Sequence, residues 1–476
     1  MKRRFLALLL VPPLLAAAQV APSTSSKSAD TSPAPRTNSR YRLEREHVLE
    51  WNLKISAGAY EQVAKKNSKW DAAARQALTE YARIRTIGGD VERRFELHQA
   101  SQEAISAGCD DPMIAYLVAF LNDEQDARTR LPAHKSELRS VADRLLESAY
   151  PAVCKFWAAS RAGRRDRTRA GSVFSSESLP YRQKAQRYLV EMIEEPTTPT
   201  YEIVNACRNW LEGIQGDDGA IEQAIQAIEP AVRKHSTNAY FHHLIKGVCY
   251  FRYGWSARGS GYADKVTDKG WELFGQRLKI ATTEFEAAWK LNPEEPATAT
   301  AMISVEMGLG GEKDAMERWF QRAMQADADN YRACLNKLTY LEPKWNGSPE
   351  EMLAFARQCA RSTNYGGQTP LILYKAHDTL ARYLPESERN EYWKQDGIWK
   401  EIKAAFDKYF RASPWPDTSA RSRLLLVAYR TREWAEFIKL YSEMKVVDDS
   451  VFGGKDYFDR ALAYVKSRVA QTKTAQ

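Results

Sequence analysis

The sequence predicts an all-α protein built as an array of antiparallel helix pairs, and three observations predict it. Apolar residues recur every three or four positions, as in Trp70, Ala73, Ala74, Ala77, Leu78 and Tyr81, which gathers them on one helical face. From Tyr41 onward, alternating β-branched runs and Asn-Gly turns between strand-like segments are missing, so hairpins are not expected. Breakers come at short intervals instead, at Gly88-Gly89, Gly108, Pro112, Gly216, Gly310-Gly311, Pro343 and Pro414. Helices of roughly 10–15 residues joined by short turns are what such punctuation produces.

Taken in order, residues 1–18 form a signal-peptide pattern. Lys2-Arg3-Arg4 is a positive start, Phe5 to Leu15 a short apolar stretch, and Ala16-Ala17-Ala18 a small-residue cleavage site. An uncleaved anchor is disfavoured, because the stretch is short and Pro12-Pro13 would break it. The expected location is therefore exported, periplasmic or secreted, with no membrane span left after cleavage. Residues 19–40 are rich in Ser, Thr, Pro and Ala and read as a disordered linker. An N-terminal helical region over 41–235, a repeat core over 236–365 and C-terminal helical repeats over 366–476 follow.

Composition sets outer limits. With 44% hydrophobic and 27% charged residues, 24 Gly and 20 Pro, the chain is not a collagen, a mucin-like stalk or a wholly disordered polymer. The net charge is +8, of which Lys2, Arg3 and Arg4 supply three. The remainder, spread over a large body, does not argue for a nucleic-acid partner. Cys109, Cys154, Cys207, Cys249, Cys334 and Cys359 are widely and irregularly spaced, with no C-x-x-C. They read as small residues packed between helices, with disulfides as the alternative in an exported chain.

The repeats give the architecture. Ala281, Phe285 and Ala288 share one helical face, and Pro293 follows one turn beyond. Thirty-five residues on, the same places hold Met316, Phe320, Ala323 and Ala328, and Phe355 lies one further period away. Echoes appear as Ala100, Ala104, Ala107, Pro112 and as Ile402, Phe406, Tyr409, Pro414. A small residue lets a partner helix approach, while the aromatic fills the wedge between neighbouring pairs. Phe285 and Phe320 are thus expected at equivalent buried positions.

These residues resemble the tetratricopeptide repeat. Ala281, Phe285 and Pro293 match its second helix, and Gly247, Tyr250 and Gly254 match its first helix and turn. The first-helix Trp and Leu are replaced by His243 and Lys246. The resemblance covers roughly residues 239–360 and implies a tetratricopeptide-like right-handed α-solenoid. One unit is enlarged: 26 residues, 255–280, separate Gly254 from Ala281, where the pattern leaves room for about five. The stretches Trp255-Ser-Ala-Arg258-Gly-Ser-Gly261 and Pro343-Lys-Trp345-Asn-Gly-Ser348 are similar to an uncharacterised family of exported bacterial tetratricopeptide-like proteins. That family carries no assigned activity, so the resemblance implies a fold and transfers no catalytic residue. Ser348, Pro349 and Glu351 read locally as an N-cap, a first-turn proline and a capping-box acid.

Signals for chemistry are thin. His47, His98, His134, His235, His242, His243 and His377 form no H-E-x-x-H. Adjacent His242 and His243 point about 100° apart on a helix and cannot share a metal. Gly308-Leu-Gly-Gly-Glu-Lys313 lacks the phosphate-loop spacing, and there is no G-x-S-x-G elbow. No catalytic residue, metal ligand or cofactor is therefore assigned. Two features stand out for binding. Trp255, Arg258, Tyr262 and Trp271 of the insertion are expected to line a groove, or else to form a packed lid. Arg161, Arg164, Arg165, Arg167 and Arg169 form a basic stretch able to contact an anionic surface, or a solvated linker. The leading expectation is an exported, non-catalytic scaffold for a protein or peptide partner. An enzyme or small-ligand receptor using the insertion, and an envelope protein resting on anionic surfaces, are the alternatives.

Overall fold

The computed structural model describes residues 39–87, 91–129, 135–168, 171–259, 261–361, 367–412 and 417–474, and every described element belongs to one contact unit, Thr37–Gln476. The signal-peptide pattern and most of the linker, along with Gly88-Gly89 and Pro414, lie outside the described residues.

The helices run α1 (Ser39–Leu53), joined by a π-helical turn at Lys54–Gly58 to α2 (Ala59–Val63), then α3 (Asp71–Ile87) and α4 (Val91–Ser106). Next come α5 (Pro112–Thr129), α6 (Lys135–Glu147) and α7 (Ala152–Ala162). A small antiparallel ribbon, β1 (Asp166–Thr168) and β2 (Gly171–Val173), pairs Asp166 with Val173. Then follow α8 (Leu179–Glu194), α9 (Thr200–Gly213), α10 (Asp218–His235), α11 (Ala239–Arg258) and α12 (Asp268–Leu291). The repeat core continues as α13 (Pro296–Leu309), α14 (Lys313–Ala326), α15 (Tyr331–Tyr340) and α16 (Pro349–Arg361). The chain closes with α17 (Ile372–Tyr383), α18 (Glu386–Trp393), α19 (Ile398–Ala412), α20 (Thr418–Arg430), α21 (Trp434–Ser442) and α22 (Lys455–Thr474).

The all-α solenoid reading holds, with one correction. The basic stretch after α7 is not a bare loop: its residues build the β1–β2 ribbon. Three-residue strands fall below what a periodicity argument can detect. Elsewhere successive helices pack side by side, α3 on α4, α7 on α8, α11 on α12 and α13 on α14. Buried side chains form a chain of overlapping clusters rather than one ball. One runs from Ile55 to Cys249 and a second from Tyr240 to Cys359 and on to Ala405, so α11 contributes to both. That is the layout of a stack in which each pair covers its neighbour.

The pair α11–α12 has the most extensive interface, and sequence explains it. Phe285 is fully buried between Ala281 and Ala288. Its ring lies where a side chain on Gly247 would stand, 2.5 Å from a Cβ built there. Glycine at 247 therefore lets the two helix axes close on the phenylalanine. The positions where the repeat pattern expects Trp and Leu hold His243 and Lys246, which clamp Glu284 of α12 at 2.7 and 2.9 Å. Burial opposes ionisation of Glu284, but these two partners outweigh it and hold the carboxyl below its ordinary value.

Two expectations are corrected here. Gly254 is not a turn: α11 runs through it to Arg258. Gly254 is buried, and a Cβ there would come within 3.3 Å of Leu278, so it serves a second close approach. Phe320 is half-buried, not equivalent to Phe285. It packs edge-on to Phe355 with ring centroids 5.4 Å apart and carries the Lys337 ammonium 4.2 Å over its face. Trp319 takes the buried place beside it. The N-cap stands, since the Glu351 N–H donates to Ser348 Oγ at 3.2 Å and α16 begins at Pro349, but among the described residues the capping box does not close. The Glu351 carboxylate pairs with Lys313.

Candidate functional site

The enlarged insertion is mostly helix. Trp255 to Arg258 complete α11, and Asp268 to Phe274 open α12. The surplus residues thus lengthen the hairpin, and among the described residues only 259 and 261–267 leave the helices. At 24 residues, α12 is about 36 Å long. Gly259 ends α11 with φ 70°, a conformation that favours glycine. Thr267 caps α12, its Oγ1 accepting from the Gly270 N–H at 3.0 Å.

The open end of this hairpin gathers three indoles around one guanidinium. Arg258 lies 5.8 Å from the ring centroids of Trp255 and Trp271 and 5.5 Å from that of Trp345. Trp255 meets Trp345 and Phe274 edge-on, with centroids 6.0 and 5.1 Å apart, and Trp271 lies 5.9 Å from Phe274. Helical spacing puts Trp255 and Arg258 three apart on α11 and Trp271 and Phe274 three apart on α12, so each pair shares a face. Arg258 Nη1 donates to the carbonyls of Gly259 and Gly261 at 3.3 and 2.5 Å. Its Nε, with the indole N–H groups of Trp255 and Trp345, is buried without a hydrogen-bond partner among the described residues. Three unmet donors in one aromatic cluster suit a ligand that brings acceptors.

Of the four residues expected to line a groove, Trp255, Arg258 and Trp271 come together. Tyr262 does not: it is 80% exposed and joins no ring pair among the described residues. Trp271 is 38% exposed, forming the rim. Trp345 is the residue that reasoning about the insertion left out. It sits in the turn after α15, where its backbone N–H donates to the Glu342 carbonyl at 2.8 Å. Its only sequence signal is its place in the Pro343-Lys-Trp345 stretch.

The basic stretch disperses. Arg161 turns inward to Asp123 at 2.5 Å and lies over Phe120 at 5.0 Å. Arg165 donates to the Gln215 carbonyl at 2.7 Å and stacks on Phe174 at 4.4 Å. Arg164 is exposed, Arg167 contributes backbone to β1, and Arg169 lies outside the described residues. Two of the five guanidiniums are thus already engaged within the fold.

A further polar hub was not legible in advance. His377, 2% exposed, is 2.8 Å from Tyr392 Oη through Nδ1 and 2.8 Å from Glu401 Oε1 through Nε2. Arg357 Nε donates to the other oxygen of Glu401 at 2.8 Å. Burial resists the Glu401 charge, yet His377 and Arg357 lower its pKa to about 2. Burial and that carboxylate push the Tyr392 hydroxyl up, opposite to what an activated nucleophile needs. The hub ties α16, α17, α18 and α19 together. Among the described residues no group of three or more His, Cys, Asp or Glu could hold a metal ion. All six cysteines are buried and unlinked.

These features define the class: an all-α helical-repeat protein of antiparallel helix pairs. Comparison with protein families and with curated proteins returns no match. Among solved structures, it is similar to a human IFIT1 dimer with m7Gppp-AAAA, at TM-score 0.36 and 13% identity over 78% of each chain. The class rests on the helices and their packing. No described helix is long and apolar enough to cross a membrane.

Proposed function

We propose that this protein is an exported, non-catalytic helical-repeat scaffold that binds a protein or peptide partner at the open end of the α11–α12 hairpin. One observation carries the reading: Trp255, Trp271 and Trp345 surround Arg258 at a partly exposed rim, with Tyr262 standing free beside it. Trp, Tyr and Arg are the residues that concentrate binding energy at protein interfaces. The unpartnered Arg258 Nε and indole N–H groups offer donors to a backbone carbonyl or carboxylate. Export is supported by the Lys2-Arg3-Arg4, apolar and Ala16-Ala17-Ala18 pattern.

The test is capture from the exported fraction with the full chain and its Arg258→Ala, Tyr262→Ala double variant in parallel. Partners identified on the wild type are then titrated as purified proteins. A partner lost by the variant, at unchanged helix content and melting, supports the reading. A variant that binds as well as wild type per folded molecule makes the cluster a structural lid and sinks it.

A further inference from the structure

The six buried cysteines are not equivalent, because four of them stand on helix pairs whose register is fixed by neighbouring contacts. On α15, Cys334 and Lys337 are buried three positions apart, and on α16, Phe355 and Cys359 are buried four apart. The Lys337 ammonium lies 4.6 Å over the Phe355 ring. These two helices pack together across the turn that holds Trp345, so the chain runs in opposite senses along them. One turn back from Lys337 is Cys334, and one turn on from Phe355 is Cys359. Both thiols thus reach the same level of one interface, within one buried cluster. On α9 and α11 the register comes from three contacts at a constant spacing of 40 residues. Glu212 meets Arg252 at 3.4 Å, Gln215 Nε2 donates to the Trp255 carbonyl at 3.1 Å, and the Gly216 N–H donates to Ser256 Oγ at 3.0 Å. A constant spacing is the mark of helices running the same way. Carried back along α9, it sets Cys207 level with residue 247, about 3 Å of rise from Cys249, well inside the roughly 4.4–6.8 Å that a bridge spans between Cα atoms. Cys249, Arg252 and Ser256 share the α11 face that meets α9, and Cys207 and Cys249 are fully buried in one cluster. Hydrogen bonding to Cys207, then burial, pushes the Cys249 thiol up, and Cys334 and burial do the same to Cys359. The remaining two differ. Cys154 Sγ donates to the Ile55 carbonyl at 3.3 Å, and Cys109 sits in the turn between α4 and α5.

We propose that Cys334 with Cys359, and Cys207 with Cys249, are two disulfide sites filled when the chain folds in an oxidising compartment, while Cys109 and Cys154 remain thiols. The inference rests on the export reading for its oxidant. Each closure joins Sγ to Sγ, releases two protons and passes two electrons to a disulfide-bearing oxidant, which leaves as its reduced dithiol. Exchange needs a thiolate. In the finished fold the Cys249 and Cys359 thiols are pushed up and stay protonated, so closure belongs to folding, before these helices are sealed. The bridges cross-link the supports of the indole cluster. One ties α9 to α11, which carries Trp255 and Arg258, and the other ties α15 to α16, whose joining turn carries Trp345. Both restrict the unfolded chain and hold the two sides of the cluster in place.

The full chain, unfolded and reduced, is refolded in mixed reduced and oxidised glutathione, then alkylated in denaturant and mapped by peptide mass. Two linked peptide pairs are expected, one through Cys207 and Cys249 and one through Cys334 and Cys359, with alkyl groups on Cys109 and Cys154 alone. Cys359→Ala should free Cys334 and leave the other link intact, and Cys249→Ala should free only Cys207. Reductant should lower the melting temperature of the oxidised chain by about 5 °C. If the chain does not refold, the same mapping on chain sent to an oxidising periplasm by a generic signal sequence decides the matter. Six alkylated cysteines in folded material, or any other pairing, would overturn the sites. Chain from the native host is mapped as well. Bridges made in glutathione but absent there would strike the export reading and leave the two sites standing.

Discussion

Phe285 and Phe320 show how far one residue's neighbourhood decides its worth. The sequence places them one period apart, but only Phe285 has glycine opposite, at Gly247, to admit its ring fully. Phe285→Ala should cost about 3–5 kcal/mol and Phe320→Ala about 1–2 kcal/mol, since a half-buried ring leaves a smaller cavity. Urea unfolding of the two variants measures this, and equal losses would restore their equivalence. Glu401 supplies a pH signature. Its folded value of about 2 lies below the ordinary value near 4.3. Its contribution is therefore complete above that ordinary value and is lost as pH falls through about 2. The stability gap between wild type and Glu401→Gln should be widest above about pH 5 and close on acidification. A gap independent of pH would show that the hub holds no charge.

At the scale of elements, the lengthened hairpin is the distinctive feature. Its helices close only because Gly247 and Gly254 yield room to Phe285 and Leu278. Gly247→Ala should destabilise the protein by about 1–3 kcal/mol by driving a methyl into the Phe285 ring, read as a lowered melting temperature. At the open end the expectation reverses. Arg258→Ala should shift the emission of the surrounding indoles while barely moving the melting temperature, and Tyr262→Ala should change neither. A large loss of stability from Tyr262→Ala would contradict its exposed position.

Across the whole helical unit, clusters overlap in series, and the last contains Leu425, Leu426, Phe437, Phe452, Phe458, Ala461 and Val465. α22 supplies the final three of these. Deleting α22 should expose the rest, increase dye binding to apolar surface and loosen α20 and α21. Amide protection across α5 to α9 should persist, because coupling in a stack passes mainly between neighbours. Hydrogen exchange mapped by peptide tests this, and uniform loss of protection would reveal a single cooperative body instead. One contact argues for some coupling at distance: α4 touches α20, where Thr418 Oγ1 donates to Glu92 at 3.3 Å.

Sequence by itself determined the helical class, the Ala281-Phe285-Ala288 seam, the cap at Ser348 and the presence of surplus residues in one repeat. Each is a local pattern, written by the 3.6-residue period or by capping chemistry within a few positions. Tertiary structure alone decided that Gly254 sits inside a helix and that the surplus extends the hairpin. A glycine reads alike as a turn or as a close approach until the opposing helix is in place. The same holds for Trp345 beside Arg258 and for His377 between Tyr392 and Glu401. Those residues lie far apart in the chain, and only the packing of separate helices sets their distances.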